Sequence, residues 1–147
     1  MDEAPAMPGA RSATISWILL AGVAALALLS ATYVGLTPAG DQTDLTDRTW
    51  QEFAAQNSEV ASLFSMQLSL VGVLGAAFAL AMLVVILIPY RRGVRWAWYA
   101  LWLVPATFGA IAARMLVDQY AVGFYYAGLA AVALIGLLIP IGKFMGR

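Results

Sequence analysis

Neither cysteine nor histidine occurs anywhere in these 147 residues. Their absence excludes disulfide frameworks, thiol redox chemistry and lipidated cysteines, and it removes the commonest transition-metal and haem ligands. Charge is also scarce: 11% of residues are ionised, against roughly 25% in an ordinary soluble domain. Eight basic residues balance eight acidic ones, so no global field draws the chain toward nucleic acid or an acidic partner. Hydrocarbon is what the chain has in excess, at 63% hydrophobic residues. A water-soluble fold of this size could not hide so much apolar surface.

The few charges are placed so that four stretches remain free of them: 29 residues between Arg11 and Asp41, 31 between Glu59 and Arg91, 18 between Arg95 and Arg114, and 24 between Asp118 and Lys143. A hydrocarbon core about 30 Å thick needs ~20 mostly apolar helical residues, so each stretch is a candidate span. The expected fold is all-α, an integral membrane four-helix bundle in a single membrane domain, with helices at about 14–36, 62–89, 96–113 and 121–142. The first stretch is read as an uncleaved helix and not a signal peptide. Its apolar run from Ile15 to Leu36 holds 22 residues, longer than a signal h-region.

This threading puts the N-terminus, the 91–95 turn and the C-terminus on one side. That side carries Arg11, Arg91, Arg92, Arg95, Lys143 and Arg147, leaving Arg48 and Arg114 on the other. By the positive-inside rule both termini are expected to be cytoplasmic. Tryptophans follow the arginine turn directly, which makes Arg91, Arg92, Arg95, Trp96 and Trp98 candidate contacts for lipid headgroups.

The segment at 37–61 is expected to be the only sizeable extramembrane loop. Thr37-Pro38-Ala39-Gly40 reads as a turn, and Thr49-Trp50-Gln51-Glu52 fits a capping box that starts a short helix over about 50–56. Trp50, Phe53 and Ala54 fall at i, i+3 and i+4, so this extracytoplasmic helix is expected to be amphipathic. Asn57 or Ser58 is the expected cap of the second span.

Helices in lipid associate by close backbone approach and polar contact, so small residues mark candidate interfaces. The second span carries Ser58, Ser62, Ser65, Ser69, Gly72, Ala76 and Ala79 at steps of three and four. They form a candidate packing face, or alternatively the lining of a polar cavity with Thr107 opposite. Serine can return its hydroxyl bond to the i−4 carbonyl, so neither water nor ligand is required there. Pro105 lies inside the third span and is expected to kink it.

No span contains an ionisable residue away from its ends, so no nucleophile, base and electrophile can be assembled inside the membrane. The expectation is a protein that is not an enzyme and holds no cofactor or metal. Asp41, Asp44 and Asp47 have a spacing of three and lack the glycine of an EF-hand loop, so they read as a solvated acidic loop. Arg114 and Asp118, spaced i, i+4, form a candidate ion pair across the tight turn between the third and fourth spans.

The run Tyr90-Arg91-Arg92-Gly93-Val94-Arg95-Trp96-Ala97-Trp98-Tyr99, with Thr49-Trp50 to Phe53 and Asn57-Ser58-Glu59 before it, resembles a pattern in small uncharacterised four-transmembrane-helix membrane proteins of prokaryotes. The likeness covers roughly residues 45–105. It implies a four-pass architecture in a bacterial or archaeal plasma membrane, and it brings no catalytic residues. The expected function is that of a structural or accessory protein whose partners are the lipid bilayer and other membrane proteins or further copies of itself, with no nucleic acid. The alternative is a binder or carrier of a lipid-like or other weakly polar small molecule.

Overall fold

The computed structural model describes residues 8–37, 50–118 and 120–145, with the side chains of residues 8–12 and 143 excepted. Among these residues the protein is all helical: α1 (Pro8–Leu36), α2 (Trp50–Gln56), α3 (Ser58–Val85), a π-helical turn (Ile86–Tyr90), α4 (Arg95–Leu101), α5 (Leu103–Val117), α6 (Val122–Leu138) and α7 (Ile141–Met145). Three stretches, Ala13–Leu36, Ser58–Tyr90 and Arg95–Val117, are long and apolar enough to cross a membrane. The apolar helix α6 has 17 residues, about 26 Å at the helical rise. Large apolar side chains stand exposed along the helices, among them Leu36, Leu74, Leu103 and Phe124. Such continuous apolar exposure marks a membrane protein, because water would not tolerate it.

The helices end where proline chemistry requires it. Pro89 lacks an N–H, so the carbonyl four residues earlier loses its donor. The ladder continues by stepping one residue further, as the Arg91 N–H to Ile86 carbonyl bond at 3.1 Å shows, and this is the π turn. Gly93, at φ 79°, then supplies the left-handed residue that a side chain would strain. In the third span the break expected from Pro105 falls three residues earlier, at Trp102, whose N–H bonds the Tyr99 carbonyl at 3.2 Å in a tightened turn. The fourth span, expected to reach residue 142, ends as α6 at Leu138, because Pro140 cannot continue the ladder.

The chain divides into two compact units, residues 1–24 with 82–147, and residues 25–81. In the second unit the close of α1 meets α3 backbone to backbone. A Cβ on Gly35 would lie 3.3 Å from the Gly72 Cα, and one on Gly75 would lie 3.0 Å from the Ala31 Cβ. Ala31 precedes Gly35 while Gly75 follows Gly72, so the two segments run antiparallel. Helix α2 joins this unit through Trp50, whose ring lies 5.7 Å from Phe53 and 5.6 Å from Phe64 of α3. Asn57 links the two helices: its backbone and side-chain N–H groups both donate to the Phe53 carbonyl, while its own carbonyl accepts from Ala61.

The face that α3 buries differs from the serine face. Ala61, Gly72, Ala79 and Met82 are buried, with Ile86 of the π turn after them, whereas Ser62, Ser65 and Ser69 are exposed and Ala76 is half-buried. At 100° per residue the buried line is rotated about a quarter turn from the serines. Ser65 donates to the Ala61 carbonyl at 2.9 Å, and Ser30 and Thr32 of α1 do the same one turn back at 2.9 and 2.8 Å. These hydroxyls are therefore satisfied within their own helices, which lets them face outward at little cost.

In the first unit α5 and α6 form an antiparallel hairpin. Gly123 makes this possible, since a Cβ there would lie 2.8 Å from the Leu116 side chain and 3.1 Å from its backbone nitrogen. Phe108 and Tyr126 meet with ring centres 6.2 Å apart. The early part of α1 packs on α6 at Gly136, where a Cβ would press to 3.1 Å from Leu20.

Candidate functional site

The arginine turn and the end of α6 hold the densest set of polar and aromatic contacts in the first unit. Pro140 deprives the Gly136 carbonyl of its i+4 donor. Ser16 of α1 replaces it, donating its hydroxyl to that carbonyl at 2.6 Å. A serine hydroxyl has one proton, and it is committed there. The hydrogen bond between Ser16 and Tyr90 therefore has the tyrosine as donor. The result is a relay of donors from Tyr90 through Ser16 to Gly136, joining three segments of the chain. Ser16 is fully buried and Tyr90 nearly so.

The next carbonyl is treated the same way. The Ile139 N–H to Ile135 carbonyl bond is the last rung at the end of α6, and the Phe144 N–H to Pro140 carbonyl bond belongs to α7. Between them the Leu137 carbonyl accepts the indole N–H of Trp98 at 3.0 Å. Phe144 of α7 inserts its ring between the two donors, 5.3 Å from Tyr90 and 5.9 Å from Trp98, nearly parallel to both. Every buried side-chain nitrogen and oxygen among the described residues has a partner. In a low-dielectric interior this is what makes polar groups tolerable.

This geometry corrects one part of the headgroup expectation. Trp98 is 3% exposed and capped onto α6, so it is unavailable to a headgroup. Trp96, two residues earlier, is 56% exposed, and Arg91, Arg92 and Arg95 are exposed as well. Helical periodicity explains the split, because residues two apart face different sides of a helix. Arg91 lies over the Trp17 ring at 5.2 Å from its centre, a cation–π contact. It lines a cleft of about 280 Å³ together with Trp17, Tyr90, Pro140 and Phe144.

The other sequence candidates lie elsewhere. Arg114 donates to Asp118 at 2.7 Å across the α5–α6 turn, with both side chains well exposed; an exposed pair of this kind contributes under about 1 kcal/mol. Of the small-residue stripe, Gly72 and Ala79 are buried, Gly72 against Gly35; Ser62, Ser65 and Ser69 are exposed, as is Thr107. Asp41, Asp44, Asp47 and Thr49 fall outside the described residues, as do the side chains of Arg11 and Lys143 and all of Arg147. Sequence reasoning did not single out Ser16. The signal was available: a proline four residues after Gly136 announces an orphan carbonyl that some donor must meet.

Three helices long and apolar enough to cross a membrane, with side-chain donors meeting the carbonyls at their broken ends, point to a membrane protein. Neither a family model, a curated protein nor a solved structure matches the chain.

Proposed function

We propose that this protein is a non-enzymatic, four-pass component of a prokaryotic plasma membrane, with both termini and the arginine turn on the cytoplasmic side. It acts as a structural or accessory partner of other membrane proteins or of its own copies. One observation carries the reading: the buried polar groups of the first unit, Ser16, Tyr90 and Trp98, are committed to capping broken helix ends, while large apolar side chains remain outside. Interior chemistry is thus used to hold the fold, and the outer surface is left to lipid and to neighbouring helices. The cleft beside Arg91 supports the second reading, a site for a lipid-like small molecule.

Because the native chain has no cysteine, topology can be read with single cysteines. A membrane-impermeant maleimide should label Gln51→Cys on intact cells and Arg92→Cys only after permeabilisation. Labelling of both from the same side would end the four-pass proposal. Gentle extraction followed by mass spectrometry of the retained proteins tests the accessory role. Recovery of a lone, uncomplexed monomer at native expression level would refute it.

A further inference from the structure

Three guanidinium groups stand at the arginine turn, and among the described residues none of them has an acidic partner, the one ion pair being Arg114–Asp118. Arg91 differs from the other two. Its face is engaged by Trp17, and a stacked guanidinium keeps its in-plane N–H donors free for an anion. Those donors lie at a cleft of about 280 Å³ whose other walls include Trp17, Tyr90, Pro140 and Phe144. The volume falls just below the usual range of about 300–1,000 Å³ for small-molecule pockets and suits a headgroup-sized ligand. Phe144 also borders a second groove, of about 590 Å³, which runs past Arg95, Tyr99, Ile141 and Met145. Arg91 at the cleft and Arg95 at the groove, set among aromatic and aliphatic walls, suit an amphiphile with an anionic phosphate headgroup.

The geometry points to a binding site for one anionic glycerophospholipid, with its phosphate on Arg91. This inference rests on the proposed membrane embedding and deepens its lipid-binding alternative. Arg91 closes the span that ends at Tyr90, the depth at which phosphates lie. Arg92 carries the same charge but is not among the residues lining either cleft. It therefore separates a built site from general attraction to an anionic surface.

The full-length protein, extracted in non-ionic detergent, is incubated with equimolar phosphatidylglycerol and phosphatidylcholine and examined by native mass spectrometry. Wild type should retain phosphatidylglycerol preferentially. Arg91→Gln should lower that preference about tenfold, the loss expected for one charge-assisted contact, whereas Arg92→Gln should change it less than twofold. Trp17→Leu, which keeps the charge and removes the platform, should also lower it. Equal losses from the two arginine variants, or no preference in wild type, would overturn the site. Millimolar inorganic phosphate should leave the lipid bound; displacement by phosphate alone would assign the cleft to a free anion instead and refute the lipid. A chain that stays dispersed without detergent refutes the membrane reading, which is a separate result from a detergent-extracted protein with no lipid preference.

Discussion

Substituting alanine for single glycines should produce effects whose order follows from backbone geometry alone. At Gly72 the added methyl would overlap the backbone of Gly35 and sit 2.9 Å from the Ala31 carbonyl oxygen. Backbone atoms cannot rotate aside as a side chain can, so the helices must separate. Overpacking of this kind costs about 1–3 kcal/mol, and the helical gain of alanine over glycine, up to about 1 kcal/mol, offsets only part of it. Gly72→Ala should therefore destabilise the protein by about 1–2 kcal/mol. At Gly35, on the other side of the same crossing, the nearest atom is 3.3 Å away, and a few tenths of an ångström of movement suffices. Gly35→Ala should stay within about 1 kcal/mol of wild type. Gly22 and Gly109 have nothing within 4 Å of the added atom, so alanine there should be neutral or slightly stabilising. Reversible unfolding in mixed micelles, followed by tryptophan fluorescence, gives the four values. If Gly72→Ala and Gly22→Ala unfold at the same denaturant fraction, α1 and α3 do not cross at Gly35 and Gly72.

Two further substitutions probe the broken end of α6. Ser16→Ala should cost about 1–3 kcal/mol, since it strands the Gly136 carbonyl and the Tyr90 hydroxyl; Pro140→Ala restores a backbone donor, so the double variant should recover at least 0.5 kcal/mol relative to the sum of the singles, within the usual range for coupled pairs. Strict additivity in the same unfolding assay would show that Ser16 does not stand in for the missing rung. Trp98→Phe keeps an aromatic ring in the stack but removes the N–H that serves Leu137, and should destabilise by about 1–3 kcal/mol; an unchanged unfolding midpoint would refute the capping role.

Charge spacing made the helical segments legible, because in a chain with 11% charged residues each ionised side chain marks a water boundary. The short helix over Trp50–Gln56 was equally readable from its i, i+3, i+4 pattern, and the Arg114–Asp118 pair from its spacing. The facing of the helices was not readable. On α3 the small-residue stripe itself splits, Gly72 and Ala79 buried and its serines exposed, and in lipid polarity no longer tells inside from outside. Which line packs is decided by where backbones can touch, a property of two helices at once. Trp98 was misplaced for a related reason: proximity to arginines in sequence looked like proximity to headgroups, while its indole was needed 39 residues away. The kink expected from Pro105 appears as the tightened turn at Trp102, in the turn before the proline.

The bond from Ser16 to Gly136 joins positions 120 residues apart. Its donor is therefore made well before its acceptor. Until α6 has formed, the Ser16 hydroxyl has no distant acceptor and the Tyr90 hydroxyl beyond it has no fixed neighbour. The first half of α1 thus waits for a helix more than a hundred residues further on before its buried serine is satisfied.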